Sequence, residues 1–265
     1  MIFVNGQNIR RETNKVQRSI GYCPQTDTVI THFTGRENLV YFLILRGYSK
    51  NSAEILAEAI ARKHGFYSHI DKRVNVYSGG NKRKLCLAIA LLGDAPILAL
   101  DEPTSGVDPG SRRYMFSLIT EASRGKTTLL TTHHLEDCEA ICTRALIMAN
   151  GKFKCIGSLQ HLKTKFAAGY FIIIKLEANK QGNPPTDTQL KSLKDYMFEN
   201  FADPPLVEEL LFSLTYRVSN KDTPWSKAFS VMENAEKSFP IEDISIEQCG
   251  LDEVFLKVAG KKKQL

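Results

Sequence analysis

Tyr77-Ser78-Gly79-Gly80-Asn81, followed after an amphipathic segment by Ile97-Leu98-Ala99-Leu100-Asp101-Glu102, decides the fold. The first stretch sets a hydroxyl and two glycines ahead of a helix that carries Leu85, Ala88, Ile89 and Leu92 on one face at i, i+3, i+4 and i+7. Unpaired backbone N–H groups and the helix dipole make such a start a place for an anion. The second stretch is an apolar strand ending in two carboxylates, one suited to a metal ion and one to a water molecule. Taken singly, each has an ordinary reading, because Ser-Gly-Gly is a common turn and many strands reach the surface on acidic residues. Order and spacing change that, since Gly21-Tyr22-Cys23-Pro24-Gln25 lies upstream and Thr131-Thr132-His133 lies downstream at the end of another apolar strand.

With these four elements the chain resembles the ATP-binding cassette (ABC) family over about residues 1–166. Gln25 falls in the Q-loop, Ser78-Gly79-Gly80 in the signature, Asp101-Glu102 in the Walker B strand, Ser105-Gly106-Val107-Asp108 in the D-loop and His133 in the switch loop. The common signature is Leu-Ser-Gly-Gly-Gln, whereas Tyr77 and Asn81 stand at its ends here, followed by Lys82-Arg83-Lys84. That variant is similar to subfamily A, the large lipid-handling ABC transporters. Cys23-Pro24-Gln25, Thr34-Gly35-Arg36-Glu37-Asn38, the stretch Cys138 to Arg144 and the distal stretch Gly250 to Leu256 match it too.

The resemblance implies an α/β, P-loop NTPase-like cassette with a helical subdomain, in which two ATP molecules are sandwiched head to tail between two cassettes. Asp101 would orient Mg²⁺ through water, Gln25 would sense Mg²⁺ and the γ-phosphate, and Glu102 would polarise the attacking water. His133 would contact the γ-phosphate; His134 competes for that role, because neighbouring strand residues point to opposite sides. Ser78, Gly79 and Gly80 would serve the ATP of the other cassette, with Asp108 of the D-loop among the nucleotide-binding residues. Lys82, Arg83 and Lys84 read as a solvated helix face.

The implied function is ATP binding and hydrolysis that power lipid transport across a membrane. Partners would be a second cassette and transmembrane domains of the same transporter, with the lipid held by the membrane part and the cassette on the cytosolic side. No nucleic-acid partner is implied, and the chromosome and DNA-repair ATPases are set aside because only a short helical stretch separates Gln25 from Ser78. The alternative is a non-hydrolysing regulatory or structural module that completes a partner's ATP site.

A phosphate-binding loop, G-x-x-x-x-G-K-S/T, would precede the Q-loop. None is found between residues 1 and 265: Gly125-Lys126-Thr127 has Thr120 in place of the first glycine and lies between a helix and a strand, in that order. The sequence is therefore expected to begin inside the cassette, as a truncated chain or fragment lacking the first strand and phosphate-loop helix.

At 265 residues and 43% hydrophobic, the chain holds either one large domain or a large and a small one. The net charge of +6 is modest, and part of it is the tail Lys261-Lys262-Lys263, which reads as a solvated end. Six cysteines without a CxxC pair or a signal peptide argue for reduced thiols. Cys138 and Cys142, one helical turn apart near His133 and His134, read as packing in preference to a metal site. The longest apolar runs are far shorter than the roughly 20 residues that cross a bilayer.

Residues 1–30 read as β structure, with a hairpin signal at Asn5-Gly6, and helices are predicted from Thr34, from Ala53 to Lys63 and from near Pro109. Strands alternating with helices specify a parallel sheet. After Phe166 the order becomes strand (170–177), helix (189–200), two strands around Val207 and Leu214, helix (224–238) and strand (241–248), with 180–188 a polar connection. This is a split βαβ, ferredoxin-like α+β pattern. It resembles the small regulatory domain that follows the cassette in subfamily A. A last helix carrying Leu251, Val254, Phe255 and Val258 is expected to pack back on one of the two domains. The expected domains are a partial cassette at 1–168 with its helical subdomain at about 33–93, a regulatory domain at 169–260 and a basic tail at 261–265.

Overall fold

Asn5 and Gly6, both at positive φ (49° and 75°), turn the chain between β1 (Phe3–Val4) and β2 (Gln7–Asn8), the geometry a two-residue hairpin favours. The computed structural model describes residues 1–167, 169–178, 185–201, 204–219 and 223–260, in two compact units, Met1–Ile141 and Cys142–Leu265.

In the first unit, α1 (Thr13–Arg18) replaces the β structure expected there. Its polar sequence gives no periodic signal, because Val16 is its one buried residue, while the Glu12 carboxylate and the Thr13 hydroxyl tie it back to Asn8 and Ile9. Then come β3 (Ile20–Cys23), α2 (Gly35–Leu45), α3 (Lys50–Lys63), two short 3-10 turns, α4 (Gly79–Ala90), β4 (Ile97–Asp101), α5 (Pro109–Ala122), β5 (Thr127–Thr131) and α6 (Leu135–Ile141). The sheet is parallel in the order β3-β4-β5, and its register sets Asp101 opposite Thr131. A Cβ at Gly21 would overlap the Ala90 carbonyl, so glycine there lets β3 meet the end of α4. Leu39, Leu43, Leu85, Leu87, Leu98, Leu100, Met115 and Ile119 form the centre of the core.

Each residue of Thr34-Gly35-Arg36-Glu37-Asn38 has a separate job. Thr34 and Glu37 close a reciprocal capping box at the start of α2. Gly35 leaves room for the Tyr77 hydroxyl, which a Cβ would overlap. Arg36 pairs with Asp71 at 2.7 Å and Glu58 at 2.9 Å, and buried Asn38 both accepts from the Ile30 amide at 2.9 Å and donates to its carbonyl at 3.0 Å. The segment thereby fastens α2, α3 and the loop after β3 to the turns that lead into Tyr77.

The second unit opens with a hairpin, β6 (Arg144–Ala149) and β7 (Lys152–Ser158), turned at Asn150 and Gly151 with φ of 53° and 69°, followed by α7 (Leu159–Phe166). Next are β8 (Tyr170–Leu176), α8 (Asp187–Asn200), β9 (Leu206–Leu210), β10 (Ser213–Val218), α9 (Trp225–Ser238), β11 (Ile241–Gln248) and α10 (Leu251–Ala259). The sheet is antiparallel in the order β11-β8-β10-β9, the split βαβ arrangement expected of β-α-β-β-α-β. Tyr170, Ile172, Ile174, Leu193, Met197, Leu214, Ala228 and Ala235 fill its core.

The amphipathic α10 packs on α7 and the β6–β7 hairpin, and Glu253 pairs with Arg217 of β10 at 3.0 Å. That helix draws the hairpin and α7 into the same compact unit as the four-stranded sheet. Part of the polar connection (179–184) and the basic tail (261–265) lie outside the described residues. Among the described residues, no helix is long and apolar enough to cross a membrane.

Candidate functional site

β4 ends at Asp101 and β5 at Thr131, side by side, and the chemistry gathers where these two strands stop. The Thr131 hydroxyl donates to the Asp101 carboxylate, fixing its orientation. Glu102 follows at φ 48°, a left-handed conformation that costs a non-glycine residue on the order of 1–3 kcal/mol and persists only where neighbours impose it. Those neighbours are visible: the Glu102 amide donates to the Thr131 carbonyl at 3.1 Å, and the Glu102 carbonyl accepts from Arg83 at 2.7 Å and from the Ser105 amide at 3.1 Å. The Glu102 side chain is 13% exposed, and its Oε1 lies 2.8 Å from Nδ1 of His133.

The strand-alternation argument for His134 fails, because β5 stops at Thr131 and both histidines lie beyond it. Their ring centroids lie 4.0 Å apart with the planes tilted by 38°, the His134 amide donates to the Thr132 hydroxyl at 3.0 Å, and His133 is the one that meets Glu102. With Nδ1–H donated to the carboxylate, Nε2 of His133 is left for another partner on a side chain that is 66% exposed.

Arg83 overturns the reading of Lys82-Arg83-Lys84 as a solvated face. Its side chain is 3% exposed. Nη1 donates to the carbonyls of Pro24 at 2.7 Å and Gln25 at 3.2 Å, Nη2 to those of Asp101 and Glu102 at 2.7 Å each, and Nε to that of Pro103 at 3.0 Å. The signal for this lay in the helix itself. Arg83 shares a stripe with Cys86, Leu87 and Ala90, all buried, so α4 is covered on a second side beyond the Leu85, Ala88 and Ile89 face.

The other expected residues stand apart from the carboxylates. Gln25 lies two residues past the end of β3 with an exposed side chain, and its backbone carbonyl is joined to the cluster through Arg83. Ser78 caps α4 by accepting from the Asn81 amide at 3.3 Å. A Cβ at Gly79 or Gly80 would meet nothing within 4 Å, so this fold itself demands glycine at neither position. Asp108 caps α5 by accepting from the Ser111 amide at 2.9 Å, a bond that holds its exposed carboxyl below the ordinary range. Among the described residues no group of three or more His, Cys, Asp or Glu side chains is placed to hold a metal ion. Cys142 lies one residue past α6, so Cys138 and Cys142 do not share a helix.

Tyr77 explains the first letter of the variant signature. It is buried, and its hydroxyl donates to the His69 carbonyl at 2.6 Å, which ties the start of the signature to the turn before it. Burial pushes its phenol up to about 12, so it acts as a hydrogen-bond donor at any ordinary pH.

Residues 1–105 match the family described as ABC transporter, and residues 167–248 match the ABCA1-like, C-terminal R1 regulatory domain. Over 258 residues the chain is 39% identical to the phospholipid-transporting ATPase ABCA3 of Homo sapiens, an alignment covering 97% of this chain and 15% of that protein. It is 38% identical over 262 residues to ATP-binding cassette sub-family A member 2 of Homo sapiens, covering 98% of this chain and 10% of that one. The chain thus spans roughly a tenth to a seventh of the length of these curated relatives. Among solved structures it resembles an ATP-binding subunit of an ABC transporter, at 25% identity and a TM-score of 0.56 over 62% of this chain and 69% of the other. A dimeric ATP-binding cassette in a post-hydrolysis state with ADP and Pi shares the fold at 20% identity and a TM-score of 0.55, over 59% of this chain and 72% of that one.

Proposed function

We propose that this chain, which belongs to the ABC transporter family and within it to subfamily A, is an ATP-binding and ATP-hydrolysing cassette that powers lipid transport, with its regulatory domain attached. The meeting of Asp101, Glu102 and His133 at the ends of β4 and β5 carries the reading. A carboxylate oriented by Thr131 suits Mg²⁺ held through water, with Gln25 its second contact. The neighbouring Glu102 polarises water, and His133 holds the Glu102 carboxylate while presenting Nε2 to a phosphate oxygen.

Ser78, Gly79 and Gly80 serve a different nucleotide. Open space over both glycines at a helix start, with no conformational need for glycine, fits a ligand delivered from outside this chain. The partner is a second cassette, docked head to tail, and Asp108 lies at the same junction. The cassette extends over residues 1–168 and the regulatory domain over 169–260, on the cytosolic side of the transmembrane part.

Nucleotide trapping in the assembled transporter tests this assignment. Ser78→Arg should abolish trapping at the site whose phosphate loop belongs to the other cassette. Loss confined to the site containing Asp101 would contradict the head-to-tail arrangement.

A further inference from the structure

Among the described residues, Arg83 joins the loop after β3 to the end of β4 and the loop after it through its side-chain hydrogen bonds. Its planar guanidinium bonds Pro24 and Gln25 through Nη1 and Asp101 and Glu102 through Nη2, all within one rigid group. The nearest carboxylate, Asp27, is 3.9 Å from Nη1, so the buried cation is held chiefly by carbonyl dipoles. These acceptors are backbone atoms, and two of them lie in the peptide groups on either side of the Glu102 Cα, which aim its side chain. The Glu102 carbonyl belongs to the residue held at φ 48°. A shift of the Pro24-Gln25 carbonyls therefore moves the guanidinium plane, and with it the peptide that sets the direction of the Glu102 carboxylate.

We propose that Arg83 is a positioning residue that couples the Gln25 loop to the alignment of Glu102, so that a displacement at one is felt at the other. This rests on the reading of Glu102 as the residue that polarises water. A lysine cannot replace it, because a compact ammonium lacks the fork that spans both pairs of carbonyls.

Hydrogen exchange on the full chain tests the coupling without reference to turnover. Arg83→Met should raise exchange in peptides covering residues 20–27 and 99–106 together, by about ten-fold or more, while peptides of the second unit stay unchanged. Lys82→Met, one residue away, should change neither segment. If Arg83→Met does not fold, Arg83→Lys serves, with a smaller rise in both segments. A rise confined to α4, a uniform rise throughout the chain, or no rise with either variant would overturn the proposal.

In the assembled transporter, Arg83→Met should lower kcat roughly ten-fold and leave KM for ATP within about two-fold, the pattern of a misaimed group in place of a lost binding contact. A raised KM with unchanged kcat would also overturn it. Absence of ATP turnover in the unsubstituted assembly would refute the catalytic reading of Glu102 and leave the exchange result to decide the coupling.

Discussion

Nδ1 of His133 lies 2.8 Å from Oε1 of Glu102, so two side chains that lie just past the ends of adjacent strands are already engaged with each other. The contact fixes which ring nitrogen carries the proton toward the carboxylate and which is left for a ligand. Loss of it should unfix the Glu102 carboxylate without removing it. In the assembled transporter, His133→Ala should reduce ATP turnover by roughly 100-fold, the low end of what a positioned acid–base group contributes. His134→Ala should reduce it by less than about three-fold, since it is His133 that bonds Glu102. Steady-state phosphate release measures both, and the reverse ranking would assign the switch to His134.

The hydroxyl of Tyr77 and the bare Cα of Gly35 occupy one space, so their substitutions should not add. Tyr77→Phe removes the bond to the His69 carbonyl and should cost about 1 kcal/mol. Gly35→Ala forces a Cβ into the hydroxyl and should cost more. In the double variant the phenylalanine ring vacates part of that space, and the combined loss should fall short of the sum by about 0.5 kcal/mol or more. Urea unfolding of the four chains measures the cycle; strict additivity would place the two residues in separate environments.

Burial sets the order in which the thiols react. It pushes Cys23 up to about 11 and Cys86 up to about 12, so at pH 8 only about one Cys23 in a thousand is thiolate. Half-buried Cys155 should therefore be alkylated by iodoacetamide while Cys23 and Cys86 remain unmodified in the native chain. Mass spectrometry of peptides after brief labelling reads the order. Early modification of Cys86 would mean that α4 is not packed as described.

His64 makes the first unit sensitive to mild acid. Burial lowers its protonation below the ordinary value of 6.5, and neighbouring Lys63 opposes the charge further, while the bond to the Ile60 carbonyl and the charge of Glu121 favour it. Nδ1 already serves the Ile60 carbonyl at 2.9 Å, and Nε2 is buried without a partner, so a second proton would have no acceptor. The folded value is depressed, so the contribution is fully present above pH 6.5 and is lost as pH falls below it toward the folded value. Urea midpoints from pH 7.5 to 5 should fall less steeply in His64→Leu than in the unsubstituted chain. Equal slopes would show that His64 takes its proton in the folded state.

The sequence carried the elements that chemistry or periodicity marks strongly. Ser78-Gly79-Gly80, Asp101-Glu102 and the split βαβ order were readable because turn residues, apolar runs and helical spacing coincide there. The burial of Arg83 was legible in its stripe with Cys86, Leu87 and Ala90, but its partners were not, because the Pro24 and Gln25 carbonyls lie more than 50 residues upstream. Asn150-Gly151 is a strong turn signal for the β6–β7 hairpin, but the flanking strands and α7 lie outside the chemistry-bearing motifs and carry no residue that marks a site. Helix α1 was invisible because one buried valine in a polar stretch has no period.

Glu102→Gln in the assembled transporter tests the central claim most directly, because it keeps the size of the side chain and removes the charge proposed to polarise water. ATP binding should persist, and γ-phosphate release in a single-turnover assay should fall by about 100-fold or more, leaving intact ATP trapped at the site containing Asp101. Phosphate release at the unsubstituted rate would contradict the account.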